Sequence, residues 1–258
     1  MDINRELKLA VLIDADNVPS SNVKGMLEEI AKYGTPTFKR IYGDWTKPQL
    51  SGWKKVLLDN AITPVQQYSY TSGKNSTDSA LIIEAMDILY TGGVDGFCIV
   101  SSDSDFTRLA TRLREAGKKV FGIGQKKTPS PFIASCNKFI YLEILQQEEK
   151  EEVASRETTK KSVKLPFHIS IINKELINLI VSSINDSAED DGWVFLGTLG
   201  SLILKKQPDF DPRNYGFKKL VEIIKRIPSI QLDERQTGKN NISHFYARIK
   251  EQPRNDEK

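Results

Sequence analysis

The sequence is short of the side chains most often used for metal and nucleophilic chemistry. Its 258 residues include two cysteines and two histidines. Both histidines, His168 and His244, lie beyond residue 165, so the first 145 residues hold no imidazole. A histidine-based acid–base device is excluded there, and any such chemistry must use carboxylates. Cys98 sits inside the apolar run Phe97-Cys98-Ile99-Val100 and reads as core. Cys136 is the other thiol, and two thiols alone cannot build a zinc cage. A disulfide between them is not expected in the cytosol. Long apolar runs are also missing: nothing approaches the ~18 residues of a membrane-crossing helix. The opening Met1-Asp2-Ile3-Asn4-Arg5-Glu6 lacks the basic-then-apolar order of a secretory signal. A cytoplasmic location and no membrane partner are therefore expected. Excess charge is small too. The net +3 divides as +2 over residues 1–145, zero over 146–164 and +1 over 165–258. Binding to nucleic acid must then rest on local patches, not on bulk charge.

What is present is ordinary for a folded chain, with 39% hydrophobic and 28% charged residues. Strand and helix patterns alternate along residues 1–145. Lys8–Asp14, Thr37–Tyr42, Ile62–Gln67, Gly96–Ser101 and Lys119–Ile123 read as strands. Val23–Tyr33, Gln49–Asn60, Ser79–Tyr90 and Phe106–Ala116 read as helices, the last closed by Gly117. This order predicts an α/β fold with a doubly wound parallel sheet. Residues 146–164 carry five acids and five bases with no apolar face, and read as a charged linker. Residues 165–250 change character. Ile171–Ile184, Trp193–Lys206 and Tyr215–Ile227 read as helices, and Ser229–Leu232 and Ile242–Ile249 as strands around a polar turn. Three helices followed by a hairpin predict a small C-terminal winged helix. Residues 251–258 form a polar tail.

Acidic residues mark the strand ends. The first strand runs into Ile13-Asp14-Ala15-Asp16-Asn17, and the Gly96–Ser101 strand into Ser102-Asp103-Ser104-Asp105-Phe106. In a doubly wound sheet these ends form the ligand-binding edge. If the two strands are neighbours, four carboxylates converge, and Asp78, at the start of the Ser79–Tyr90 helix, joins them. Two carboxylates ~5 Å apart repel by about 3 kcal/mol at an effective dielectric near 20. Protons or a divalent cation must compensate. Carboxylates and water suit Mg²⁺ or Mn²⁺, and zinc is disfavoured where imidazole and thiolate are lacking. A plainer reading makes Asp105 and Asp78 helix caps and Asp16 a turn residue. Glu84, one and a half turns beyond Asp78, reads as solvated.

Those residues, with Lys74-Asn75-Ser76-Thr77-Asp78, resemble the three motifs of NYN domains, the LabA-like branch of the PIN-like nucleases, over about Leu7–Leu145. The resemblance implies a parallel α/β sheet whose acids bind Mg²⁺ or Mn²⁺ for hydrolysis of RNA phosphodiesters. It implies Asp14, Asp78, Asp103 and Asp105 as catalytic, metal-site acids and Asn17 as the polar residue closing the first motif. Ser102 stands where many members carry glycine, which alters the turn. Asp16, Ser102, Lys74 and Trp45 are further candidates for positioning substrate. Trp45 is open to two readings, a stacking ring beside Lys47 or a lid over the core.

The C-terminal region resembles an OST-HTH, or LOTUS, domain over about Ile171–Lys250. The matching stretches are Trp193-Val194-Phe195-Leu196-Gly197 and Phe210 through Leu220, with the final hairpin. Such domains imply RNA binding, and some bind RNA helicases or other RNA-processing proteins. Lys205, Lys206, Arg213, Lys218, Lys219, Lys225 and Arg226, with Lys239 and Arg248 on the hairpin, are the candidate phosphate contacts, and Tyr215 is the candidate stacking ring. An ordinary solvated face, with Tyr215 in the core, is the competing reading. The resulting expectation is a metal-dependent endoribonuclease with a tethered RNA-binding winged helix. The alternatives are an RNA-binding adaptor with a vestigial pocket, or a phosphatase of the haloacid dehalogenase type with an aspartate nucleophile.

Overall fold

Lys8–Asp14 forms the first strand, β1, because five successive apolar residues (Leu9–Ile13) are buried there on both faces of one sheet. The computed structural model describes residues 6–68, 76–148, 172–237 and 242–250. The chain divides into two compact units, Met1–Ser162 and Val163–Lys258.

In the first unit β1 is joined by β2 (Thr35–Gly43), β3 (Thr63–Gln66), β4 (Gly96–Val100), β5 (Lys119–Gly124) and β6 (Lys138–Tyr141). All pair parallel, in the order β3-β2-β1-β4-β5-β6. The connecting helices are α1 (Val23–Ala31), α2 (Trp53–Asp59), α3 (Ser76–Thr91), α4 (Thr107–Glu115) and α5 (Ser130–Ser135), followed by a helical stretch, α6, at 142–148. Side-chain alternation along the strands sorts the core into two layers. Leu9, Val11, Ile13, Cys98 and Val100 pack with α1, α2 and α6. Ala10, Leu12, Phe97 and Ile99 pack with α3, α4 and α5. Helices on both faces of the sheet are what unbroken apolar strands require.

Several boundaries differ from expectation. The segment expected as one helix from Gln49 splits into a 3-10 turn, Pro48–Leu50, and α2, with Gly52 between them. Helix α3 begins at Ser76, so Asp78 lies inside its first turn instead of before it. The elements α5, β6 and α6 were not expected. They are only four to seven residues long, too short to display a period, and α5 opens at Pro129.

The second unit comprises α7 (Lys174–Ser187), β7 (Val194–Phe195), α8 (Leu196–Lys206), α9 (Leu220–Ile224), β8 (Ile230–Thr237) and β9 (Ile242–Ile249). Asn173 caps α7 by accepting from the Leu176 amide. The helix expected from Trp193 starts instead as β7, which pairs with β9 in an antiparallel sheet of order β7-β9-β8. The helix expected from Tyr215 is shortened to α9. Gly216 takes a left-handed φ of 79° and ends the 3-10 turn Pro212–Tyr215. Leu176, Ile180, Ile184, Leu199, Ile203, Ile223 and Ala247 form this unit's own core. No helix among the described residues is long and apolar enough to cross a membrane. The expected linker lies almost wholly outside the described residues, as does the C-terminal tail.

Candidate functional site

Chain order reverses between β1 and β4: successive strands run outward one way from β1 and the other way from β4. Their carboxyl ends therefore open a crevice at the switch point of the sheet. Asp14 is the last residue of β1, and Ser101 to Asp105 follow β4 directly.

Asp14 lies at the floor of this crevice, 1% exposed. One carboxylate oxygen accepts from the Asp16 amide at 3.1 Å. The other accepts from Asn17 Nδ2 at 2.5 Å and Ser101 Oγ at 2.9 Å. Burial pushes its carboxyl above the ordinary aspartate value, and these three hydrogen bonds offset part of that rise. Ser101 Oγ also accepts from the Asp103 amide at 3.1 Å. A fully buried serine thus ties the end of β1 to the turn after β4. Sequence reading named its neighbours and passed over Ser101; the only signal was its place in the run Ser101-Ser102-Asp103-Ser104-Asp105. Asp103 then caps the turn Ser104–Phe106 by accepting from the Asp105 amide at 2.9 Å.

Asp78 reaches the same crevice from the first turn of α3. Carboxylate oxygens of Asp78, Asp103 and Asp105 lie within 4.8 Å of one another. Asp14 is outside that group of three but close enough to act on it. Burial is the main cause that lifts the Asp78 carboxyl to about 6, followed by the charges of Asp14, Asp103, Asp105 and Asp16 in that order. The donor set is oxygen alone. It suits a hard cation that keeps its own water, such as Mg²⁺ or Mn²⁺.

Around the acids, Asp16 is exposed and pairs with Lys47 at 3.7 Å. Ser102 is buried and accepts from the Gln125 amide at 2.9 Å, which holds the loop after β5 against the site. Trp45 donates its indole N–H to the Val65 carbonyl at 3.0 Å and packs against the first core layer. Glu84, expected to be solvated, instead accepts from the Tyr42 hydroxyl at 2.9 Å and pairs with Arg40, fastening α3 to β2. Lys74 lies outside the described residues.

In the second unit, Arg213 makes a bidentate pair with the buried Asp211, at 2.9 and 2.7 Å. Tyr215 packs on the core, its ring 6.0 Å from that of Phe210. Lys206 pairs with Asp186 at 2.6 Å. Lys205, Lys218 and Lys219 are exposed. Lys239 lies outside the described residues.

Fold and site together define a class: a doubly wound parallel α/β domain with a carboxylate centre at its switch point, followed by a winged-helix domain. The NYN domain model matches residues 8–143, and the chain belongs to that family of PIN-like nuclease domains. The OST-HTH/LOTUS domain model, that of an RNA-binding module, matches residues 169–242. No curated protein matches the sequence. Among solved structures, the chain is similar to a protein of unknown function from Vibrio parahaemolyticus RIMD 2210633. Identity is 20%, the TM-score is 0.45, and the match covers 54% of this chain and 94% of the other. It is also similar to an uncharacterized protein from Nitrosomonas europaea, with 30% identity and a TM-score of 0.29 over 36% of this chain and 92% of that one. A protein segment from Chromobacterium violaceum matches at 27% identity and a TM-score of 0.26, covering 36% of this chain and all of the segment.

Proposed function

We propose that the chain is a metal-dependent endoribonuclease whose winged-helix unit holds the RNA. The observation that carries this reading is the carboxylate group of Asp78, Asp103 and Asp105 beside the buried Asp14. Asp78, Asp103 and Asp105 would hold Mg²⁺ or Mn²⁺, with Asp14 as the fourth acid. The ion supplies water activation and charge stabilisation at a phosphodiester. Asn17 and Ser101 orient Asp14 through its shared oxygen. Lys47, held at the rim by Asp16, offers a cation to a neighbouring phosphate. Trp45 has its indole N–H engaged, so its ring is what remains to meet a base. The OST-HTH/LOTUS unit raises the local RNA concentration through the tether.

The phosphatase reading needs Asp14 as a free nucleophile. At 1% exposure, with both oxygens accepting hydrogen bonds, it is poorly placed for attack.

The test is incubation of the purified chain with labelled single-stranded and structured RNAs in Mn²⁺, Mg²⁺ or EDTA, beside an Asp103→Asn variant. Cleavage that requires metal and falls at least about 100-fold in the variant is expected, the scale of losing a group that stabilises transition-state charge. Cleavage that survives in the variant would refute the assignment. Binding without cleavage would establish the adaptor reading instead.

A further inference from the structure

The second unit carries an outward face that the nuclease reading does not use. Strand β9 alternates: Phe245, Ala247 and Ile249 turn toward the helices, with Ala247 fully buried and Lys225 beside α9 over the Phe245 ring. His244, Tyr246 and Arg248 take the other face. Register places Arg235 of β8 opposite His244, and Phe195 of β7 opposite Tyr246, on that same face. Trp193, two residues before Phe195, completes it.

These six side chains form one stacked array. The Phe195 ring lies 5.1 Å from His244 and 5.7 Å from Tyr246. The Arg235 guanidinium sits 4.2 Å over Tyr246 and 5.3 Å over Trp193, and Arg248 sits 4.7 Å over Trp193. Phe195 remains 38% exposed, one of the open large hydrophobic side chains among the described residues. Two polar residues share the face: Asp233, opposite Tyr246, pairs with Arg235 at 2.9 Å, and Gln231, opposite Arg248, accepts from it at 3.0 Å. On the helical side, Arg213 and Lys206 are held by the carboxylates of Asp211 and Asp186, and Tyr215 packs on the core.

We infer that this outer sheet face is a binding surface for single-stranded RNA. An apolar protein partner would be matched by a continuous apolar patch. Here flat rings alternate with guanidiniums, which complements a strand that alternates bases with phosphates. Bases stack on aromatic rings without demanding a sequence, and each guanidinium, tied by one edge to Asp233 or Gln231, keeps further N–H groups for phosphate. A duplex offers no open base to the rings, so single strands are preferred.

The inference rests on the RNA-binding reading of this unit. It is tested with the full chain in EDTA, which separates binding from cleavage, using fluorescein-labelled oligouridylate and fluorescence anisotropy over a range of salt. Arg248→Gln and Arg235→Gln each weaken binding about tenfold and flatten the log–log salt slope by about 0.7, the value for one phosphate contact on a single strand. Phe195→Leu keeps apolar bulk, so the unit stays folded, yet binding falls about tenfold with the salt slope unchanged. Lys174→Gln, at the exposed start of α7, binds like the parent. Loss in Lys205→Gln or Lys218→Gln with none in the three sheet variants overturns the inference. So does parental affinity in the sheet variants, the result expected if the face serves a protein. If the parent itself does not bind, the RNA-binding reading of the unit falls as well; if the parent binds and the sheet variants do not matter, only the choice of face is lost.

Discussion

At the residue scale, the site is governed by how its charges are tolerated. Asp14 is buried, which raises its carboxyl above the ordinary aspartate value, and Asn17, Ser101 and the Asp16 amide offset part of that rise by donating to it. The Asp78 carboxyl is raised from 3.8 to about 6, first by burial and then by the repulsion of four acids. A raised carboxyl value means the folded protein prefers the protonated form. The Asp78 contribution to metal-free stability is therefore intact below about pH 3.8 and lost as pH rises through about 6. Asp78→Asn should raise the melting midpoint in EDTA at pH 8, and the gain should shrink to nothing near pH 4. A gain that ignores pH would show that ionisation of the Asp78 carboxyl is not its cause. In the second unit, Asp211 is buried, pairs with Arg213 and accepts from the Arg213 amide. Asp211→Ala leaves that guanidinium short of a partner and removes a turn cap. A loss of about 2–3 kcal/mol is expected, read from the urea midpoint.

At the element scale, three chain segments meet at the crevice: the end of β1, the turn after β4 and the first turn of α3. The end of β5 beside them is held at close quarters by Gly124. A Cβ added there would lie 2.5 Å from the Ser101 carbonyl oxygen and 2.8 Å from Thr128 Oγ1. Ser101 is the residue that bridges Asp14 and Asp103, so the clash reaches the acids. Gly124→Ala should cost about 1–3 kcal/mol in stability. Nuclease activity should fall about tenfold or more through misplacement of the acids, without change in their identity. Unaltered cleavage at full metal would show that β5 does not set the position of the β4 turn.

At the scale of the whole molecule, two units carry separate cores. The first has two apolar layers about one sheet, and the second has a single cluster under its helices. Such units can unfold as independent cooperative steps. Ile203 is fully buried in the second core. Ile203→Ala should lower only the second unit's transition, by about 2–5 kcal/mol, with the first unit's melt unchanged. Equal displacement of both transitions in a calorimetric scan would show that the units unfold as one.

The sequence by itself determined the sheet class, because unbroken apolar runs such as Leu9–Ile13 and Phe97–Val100 need cover on both faces. Its strand ends grouped Asp14, Asp16, Asp103 and Asp105, with Asp78 beside them, and the resemblance to NYN domains implied Asp14, Asp78, Asp103 and Asp105 as the metal-site set. Sequence reading missed α5 and β6, whose short lengths carry no period, and it extended helices through Trp193 and Tyr215. There β pairing with β9 and the left-handed Gly216 overrode local propensity. Only tertiary structure decided that β1 and β4 are neighbours, since pairing between residues 87 apart leaves no local trace. It alone brought Ser101 to Asp14, turned Glu84 from solvent to Tyr42, and gathered Trp193, Phe195, Arg235 and Arg248 onto one face. The physical reason is the same in each case. Periodicity tells which side of an element is buried, while strand order and register decide what it meets.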